Sequence, residues 1–177
     1  MERQPIPFEA FNANVMHLFD RQWLLLTSGN YAGRQYNAMT ISWGSLGFIW
    51  GRPFVQVLVR PHRYTFEFME RYPTFSVCAF PPEYRPALSL LGTRSGRAGD
   101  KISAAGLTPA PAACIEAPVY AEAELVLECR KMYWQDLDPA HFLLADIAKN
   151  YPIQDYHRLY FGEILAIEGT AKFREEV

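Results

Sequence analysis

Residues 54–65 read Phe54-Val55-Gln56-Val57-Leu58-Val59-Arg60-Pro61-His62-Arg63-Tyr64-Thr65. The first six are apolar and rich in β-branched side chains, with Gln56 as the one polar interruption, and they spell a strand. Pro61 ends it, because proline has no N–H to give to a strand ladder. Thr65 then predicts a helix cap for residues 66–71, since a side-chain oxygen there can accept from an otherwise unpaired amide. The stretch is a strand that turns through two arginines straight into a short helix.

The same grammar runs outward in both directions. Residues 23–28, 38–43, 75–80, 119–123, 125–132 and 160–169 are apolar or alternating runs bounded by Gly, Pro or Asn, which predicts strands. Short helices are predicted over 86–91 behind Pro86, over 101–105 behind Asp100, and over 141–149 behind the Asp138-Pro139 pair. About six strands with short helices between them predict a mainly β chain, a closed or partly closed antiparallel barrel with helical decoration. No regular βαβ alternation occurs, and neither GxGxxG nor GxxxxGK[ST] is found, which argues against a dinucleotide-binding or P-loop domain.

The bulk properties set the limits. A chain of 177 residues suits a single domain over 1–177 that builds its own core. Its formal net charge of −2 gives no reason to expect nucleic acid or an anionic membrane as partner. Cys78, Cys114 and Cys129 are far apart and odd in number, so neither a disulfide framework nor a zinc or dithiol site is expected. His17, His62 and His141 show no metal-ligand spacing. The polar start Met1-Glu2-Arg3-Gln4-Pro5, with no apolar region behind it, predicts no secretory leader, and a cytoplasmic setting is the expectation. Glu122 and Glu124 fall on one strand face and are expected in solvent, while Tyr133 and Trp134 are expected in the core or at a dimer contact.

Three segments carry candidate chemistry. Tyr36-Asn37-Ala38-Met39-Thr40-Ile41-Ser42-Trp43-Gly44 alternates small and polar residues as it enters a strand. An irregular strand edge of that kind offers flat surface, backbone groups and the polar side chains of Asn37, Thr40 and Ser42 to a planar heterocycle. It also fits a plain amphipathic strand. In the Arg60–Thr65 run, two guanidinium forks, a hydroxyl and free helix amides come together, which is what a phosphate monoester needs. Thr93-Arg94-Ser95-Gly96-Arg97-Ala98-Gly99-Asp100-Lys101 adds glycines that let the backbone approach a ligand, with positive charge from Arg97 and Lys101.

In this order the three segments resemble the flavin reductase-like, FMN-binding split-barrel family, which includes flavoredoxin, and the resemblance runs over residues 23–169. It implies a homodimeric split barrel with FMN near the subunit interface. Asn37, Ala38, Met39, Thr40, Ser42 and Trp43 would lie along the flavin ring and ribityl chain. Arg60, Arg63, Tyr64, Thr65, Ser95, Gly96, Arg97 and Lys101 would hold the phosphate. The implied activity is transfer of electrons from NADH or NADPH to FMN, with reduced flavin passed to an acceptor such as a flavin-dependent oxygenase. Related reductases place Asp-His just before a Gly-Glu-Val strand. Here the segment is Asp155-Tyr156-His157 ahead of Gly162-Glu163-Ile164, with an added tyrosine. His157 is thus a candidate for the nicotinamide side, or a structural histidine. A flavin carrier or storage protein without nicotinamide chemistry, and a split-barrel relative that binds pyridoxal phosphate or heme, are the competing readings.

Overall fold

The computed structural model describes residues 2–175. In chain order its strands are β1 (Gln4–Pro5), β2 (Leu24–Asn30), β3 (Gln35–Ile41), β4 (Gly44–Ile49), β5 (Arg52–Val59), β6 (Thr74–Ala79), β7 (Pro109–Ala110), β8 (Val119–Tyr120), β9 (Leu125–Asp136) and β10 (Arg158–Gly169). The helices are α1 (Val15–His17), α2 (Tyr64–Arg71), α3 (Arg85–Thr93) and α4 (Lys101–Ala104).

Eight strands form one sheet in the order β3-β2-β6-β9-β10-β5-β4, with β1 added on β10. Every pairing is antiparallel. The long strands β9 and β10 are the spine, and two register shifts between them let both curl with the sheet. At one shift stands Gly162, where a Cβ would come within 2.3 Å of the Phe75 ring. The end strands β3 and β4 follow each other in the chain, yet they are not hydrogen-bonded neighbours. The barrel is therefore split at that seam, and Ser42 and Trp43 cross it.

Alternation decides what fills the two sides. Leu24, Leu26, Val55, Val57, Phe75, Val77, Leu125 and Leu127 belong to the barrel interior. Their neighbours Leu25, Cys78 and Val126 face an outer layer with Leu88 and Leu91 of α3, Ile102 of α4 and Tyr120 of β8. This double cover explains why Leu24-Leu25-Leu26 reads as an unbroken apolar run and not as an alternating one.

Several expectations need correction. The strand expected over 38–43 stops at Ile41, and β4 was not anticipated, because Gly44 and Gly47 dilute its apolar pattern. Residues 119–123 supply only β8, paired with β7 in a separate two-stranded ribbon. No helix covers 141–149. The Asp138 side chain does cap, accepting from the Ala140 amide, but only 3-10 turns form at Pro139–His141 and Ile147–Asn150. With Leu143 and Leu144 exposed, the segment lacks a buried apolar face to stabilise a longer helix. Helix α2 begins at Tyr64 with Arg63 as its N-cap, so Thr65 lies inside the first turn and is not the cap. Glu124 is buried, not solvated, and pairs with Lys172 at 2.7 Å. Tyr133 and Trp134 stand exposed on β9.

Candidate functional site

The three segments converge at the split. Two hollows lie side by side there, and Arg63 lines both. The first, about 230 Å3, runs along the end of β3 past Met39, Thr40, Ser42 and Trp43 to Leu58, Arg60 and His157. The second, about 170 Å3, lies over the start of α2 and is lined by Asn37, Tyr64, Thr65, Arg94, Ser95, Gly96 and Lys101. A broader open trough of about 910 Å3 adjoins the second hollow through Asn37, Tyr64, Gly96 and Lys101, and extends past Tyr31, Arg34 and Arg71.

The smaller hollow is cationic and rich in donors. Arg63 caps α2 by position alone, for its side chain makes no capping bond, and the Tyr64 and Thr65 amides find no acceptor among the described residues. The Arg63 guanidinium donates to the Gly92 carbonyl at 2.6 Å and has no carboxylate partner among the described residues. Burial, and then the charge of Arg60, lower the pKa of Arg63. Lys101 is almost fully buried, and its Nζ donates to the carbonyls of Leu91 and Arg94 at 2.8 and 3.0 Å. Those oxygens lie at the end of α3, where a cation complements the helix dipole. Burial, assisted by Arg63, brings the Lys101 pKa down to about 8. Gly96 is fixed by space: a Cβ there would stand 2.2 Å from the Asn37 Oδ1.

The larger hollow is flatter and walled by rings. Trp43 and His157 lie 5.1 Å apart between centroids. His157 Nδ1 is 2.9 Å from the Tyr151 hydroxyl, and burial, with the charge of Arg60 next, pushes the imidazole pKa down to about 4. Arg60 donates twice to Asp155, at 3.0 and 2.8 Å, and once to the Asn150 carbonyl. Asp155 also meets His62 Nδ1 at 3.0 Å, and its carboxyl pKa is lowered, chiefly by the bond from Arg60.

The predicted residues thus divide between the hollows, with three departures. Ala38 is buried in the outer layer and lines neither hollow. Arg97 lies outside both, paired with Glu67 and 4.7 Å above the Tyr64 ring. Arg60 stands at the larger hollow, held by Asp155, and not with the other cations. Sequence reasoning passed over Arg94, although it adjoins Ser95 in the basic loop. Leu58 and Tyr151 carried no signal, because one reads as a strand residue and the other follows an expected helix.

The sequence profile described as flavin reductase like domain matches residues 16–175. No protein of curated function matches the sequence significantly. Among solved structures, an FMN-binding domain of a flavin reductases-like enzyme from Shewanella baltica OS155 superposes with a TM-score of 0.67 at 16% identity, covering 95% of this chain and 77% of that one. The flavoredoxin of Desulfovibrio vulgaris (Miyazaki F) gives 0.66 at 18% identity, over 91% and 75%. Nitrilotriacetate monooxygenase component B from Bacillus cereus gives 0.68 at 16% identity, over 88% and 73%. At such identities these likenesses establish the split-barrel fold, while the profile runs through nearly the whole sequence: the chain belongs to the flavin reductase like domain family.

Proposed function

We propose that the chain binds FMN and acts as an oxidoreductase, passing electrons from NADH or NADPH to the flavin and on to an acceptor. One observation carries this reading. An uncapped helix start and an arginine without a carboxylate partner among the described residues face the same small hollow, which opens beside a flatter one of ring-binding character. Helix amides, Arg63, the Thr65 hydroxyl, Ser95 and the Gly96 loop suit a phosphate monoester. The end of β3 with Trp43 and His157 suits a planar ring. The residues present therefore fit FMN.

Bound flavin would supply the hydride and electron chemistry. The protein's part is to hold and orient. Arg60 pins the 150–155 segment through Asp155 and the Asn150 carbonyl, and so keeps His157 against the hollow. A homodimer belongs to the same proposal, because Phe48, Trp50 and Trp134 are large and exposed. The likeness to a monooxygenase component supports a flavin-dependent oxygenase as one acceptor.

Titration of purified protein with FMN and riboflavin, followed by steady-state oxidation of NADH and NADPH, tests the proposal. Failure to bind FMN at micromolar concentration removes it. Binding without nicotinamide oxidation leaves a flavin carrier. Light scattering at twice 20.3 kDa supports the dimer, and a monomer that binds FMN tightly excludes it.

A further inference from the structure

The stretch between β9 and β10 holds one buried polar pair that the proposed site does not explain. Tyr151 is 5% exposed and His157 is 8% exposed; their rings pack edge-on with centroids 5.5 Å apart, and the Tyr151 hydroxyl lies 2.9 Å from His157 Nδ1. The phenol ring is fixed on several sides. Phe142 stacks on it with centroids 6.0 Å apart, Tyr156 packs at 5.0 Å, and the Arg60 guanidinium lies 5.0 Å from its centroid.

Two arrangements of the shared hydrogen are possible. If Nδ1 carried a proton and donated to the phenol oxygen, the Tyr151 O–H would have no acceptor among the described residues. A buried donor left without a partner costs about 1–3 kcal/mol. If the phenol donates to an unprotonated Nδ1, both groups are satisfied and the imidazole proton resides on Nε2. That nitrogen has no partner among the described residues, and His157 lines the larger hollow.

We infer that Tyr151 is a positioning residue: it holds His157 in its neutral Nε2–H tautomer and turns that N–H into the larger hollow as a hydrogen-bond donor. The inference deepens the proposed function, since the recipient is an acceptor atom of a planar heterocycle bound there. Burial first, and then the surrounding charges, keep the ring neutral. Arg60, His62 and Arg63 approach from the turn between β5 and α2, Asp155 is the one carboxylate near it among the described residues, and Arg60 and His62 already engage that carboxylate. Burial also raises the Tyr151 pKa, so its hydroxyl keeps its proton. The added tyrosine before His157 is thereby explained: Asp155 serves Arg60, and Tyr151 takes over the orienting of the imidazole.

Long-range proton–nitrogen NMR of protein labelled with 15N-histidine tests this without any flavin, with His157→Ala assigning the signal. The wild type should show a protonated Nε2 and a bare Nδ1 from pH 6 to 8. Tyr151→Phe keeps the ring stacking and should give a tautomer mixture. Tyr156→Phe, which disturbs the same aromatic cluster but leaves the Tyr151 hydroxyl, should retain the wild-type signal. In titration, Tyr151→Phe should weaken FMN and riboflavin alike by about two- to tenfold, the worth of one hydrogen bond. A protonated Nδ1 in the wild type, or an unchanged tautomer in Tyr151→Phe, overturns the inference. Absence of nicotinamide oxidation with the expected tautomer present would instead overturn the proposed function alone.

Discussion

The side-chain amide of Asn37 donates to the hydroxyl oxygen of Thr65 across 2.7 Å, a buried bond that ties β3 to the first turn of α2. It fixes the strand that borders the larger hollow against the helix whose amides open into the smaller one. The Thr65 hydroxyl accepts from Asn37, so its own hydrogen remains available to an anion at the helix start.

Thr65→Val should therefore destabilise the protein by about 1–3 kcal/mol, because the buried Asn37 amide loses its short bond and keeps only the 3.4 Å contact with the Ala38 carbonyl. Thr65→Ser retains the oxygen and should recover most of that stability. Urea unfolding of the two variants against wild type measures the difference. Equal midpoints for Val and wild type would mean that the bond contributes nothing net.

The two arginines should behave differently. Arg63→Ala removes from the smaller hollow a guanidinium that has no carboxylate partner among the described residues and should weaken FMN by about ten- to a hundredfold, with riboflavin much less affected. Arg60→Ala frees Asp155 and loosens the segment that carries Tyr151 and His157, so FMN and riboflavin should weaken alike. Fluorescence titration of both flavins against both variants reads this out. Equal losses for Arg63→Ala would place the phosphate elsewhere.

Gly96→Ala tests the approach of the basic loop to β3. The new methyl would stand 2.2 Å from Asn37 Oδ1 and 3.0 Å from the Tyr64 ring, so the loop has to move. FMN affinity should fall while the melting temperature changes little, since the residues on either side of Gly96 are exposed. Unchanged FMN affinity would show that the loop does not touch the ligand.

The mainly β architecture was readable because β2, β5, β6 and β10 are dense in apolar and β-branched residues with glycine or proline at their ends. The strand-to-helix turn at Arg60–Thr65 was readable for the same reason, as proline and charge interrupt an apolar run. Other features depend on partners distant in sequence. Arg60 meets Asp155 and Asn150, and Lys101 meets carbonyls of α3, so neither pairing has a local signature. The Asp138-Pro139 pair did signal a helix start, but a cap cannot sustain a helix whose Leu143 and Leu144 are left in water.

His157 should make the fold sensitive to acid. Its pKa is near 4 in the folded chain against 6.5 when exposed, so between those values the unfolded chain binds the extra proton. Its contribution is fully present above pH 6.5 and is lost as pH falls towards 4, by about 3 kcal/mol at 1.36 kcal/mol per pKa unit. His157→Phe has no proton to bind, and its stability should fall less from pH 7 to pH 4. Parallel profiles for the two proteins would show that other groups set the acid limit.

Lys101 should place a second pH dependence on ligand binding. Its pKa of about 8 reflects a buried ammonium beside Arg63, and a phosphate in the smaller hollow favours the charged form. Binding then takes up a proton above pH 8, and FMN affinity should fall by about tenfold between pH 7 and pH 9.5. The phosphate keeps its charge over that range, because its second pKa lies near 6. Riboflavin, without a phosphate, corrects for any titration of the ring or of the fold. Lys101→Met should flatten the FMN profile, and its loss of the Leu91 and Arg94 carbonyl bonds will appear separately as a lower melting temperature. Calorimetry in buffers of different ionisation enthalpy counts the proton directly. A profile for FMN that parallels riboflavin from pH 7 to 9.5 would remove Lys101 from the phosphate site and leave it as the cap of α3.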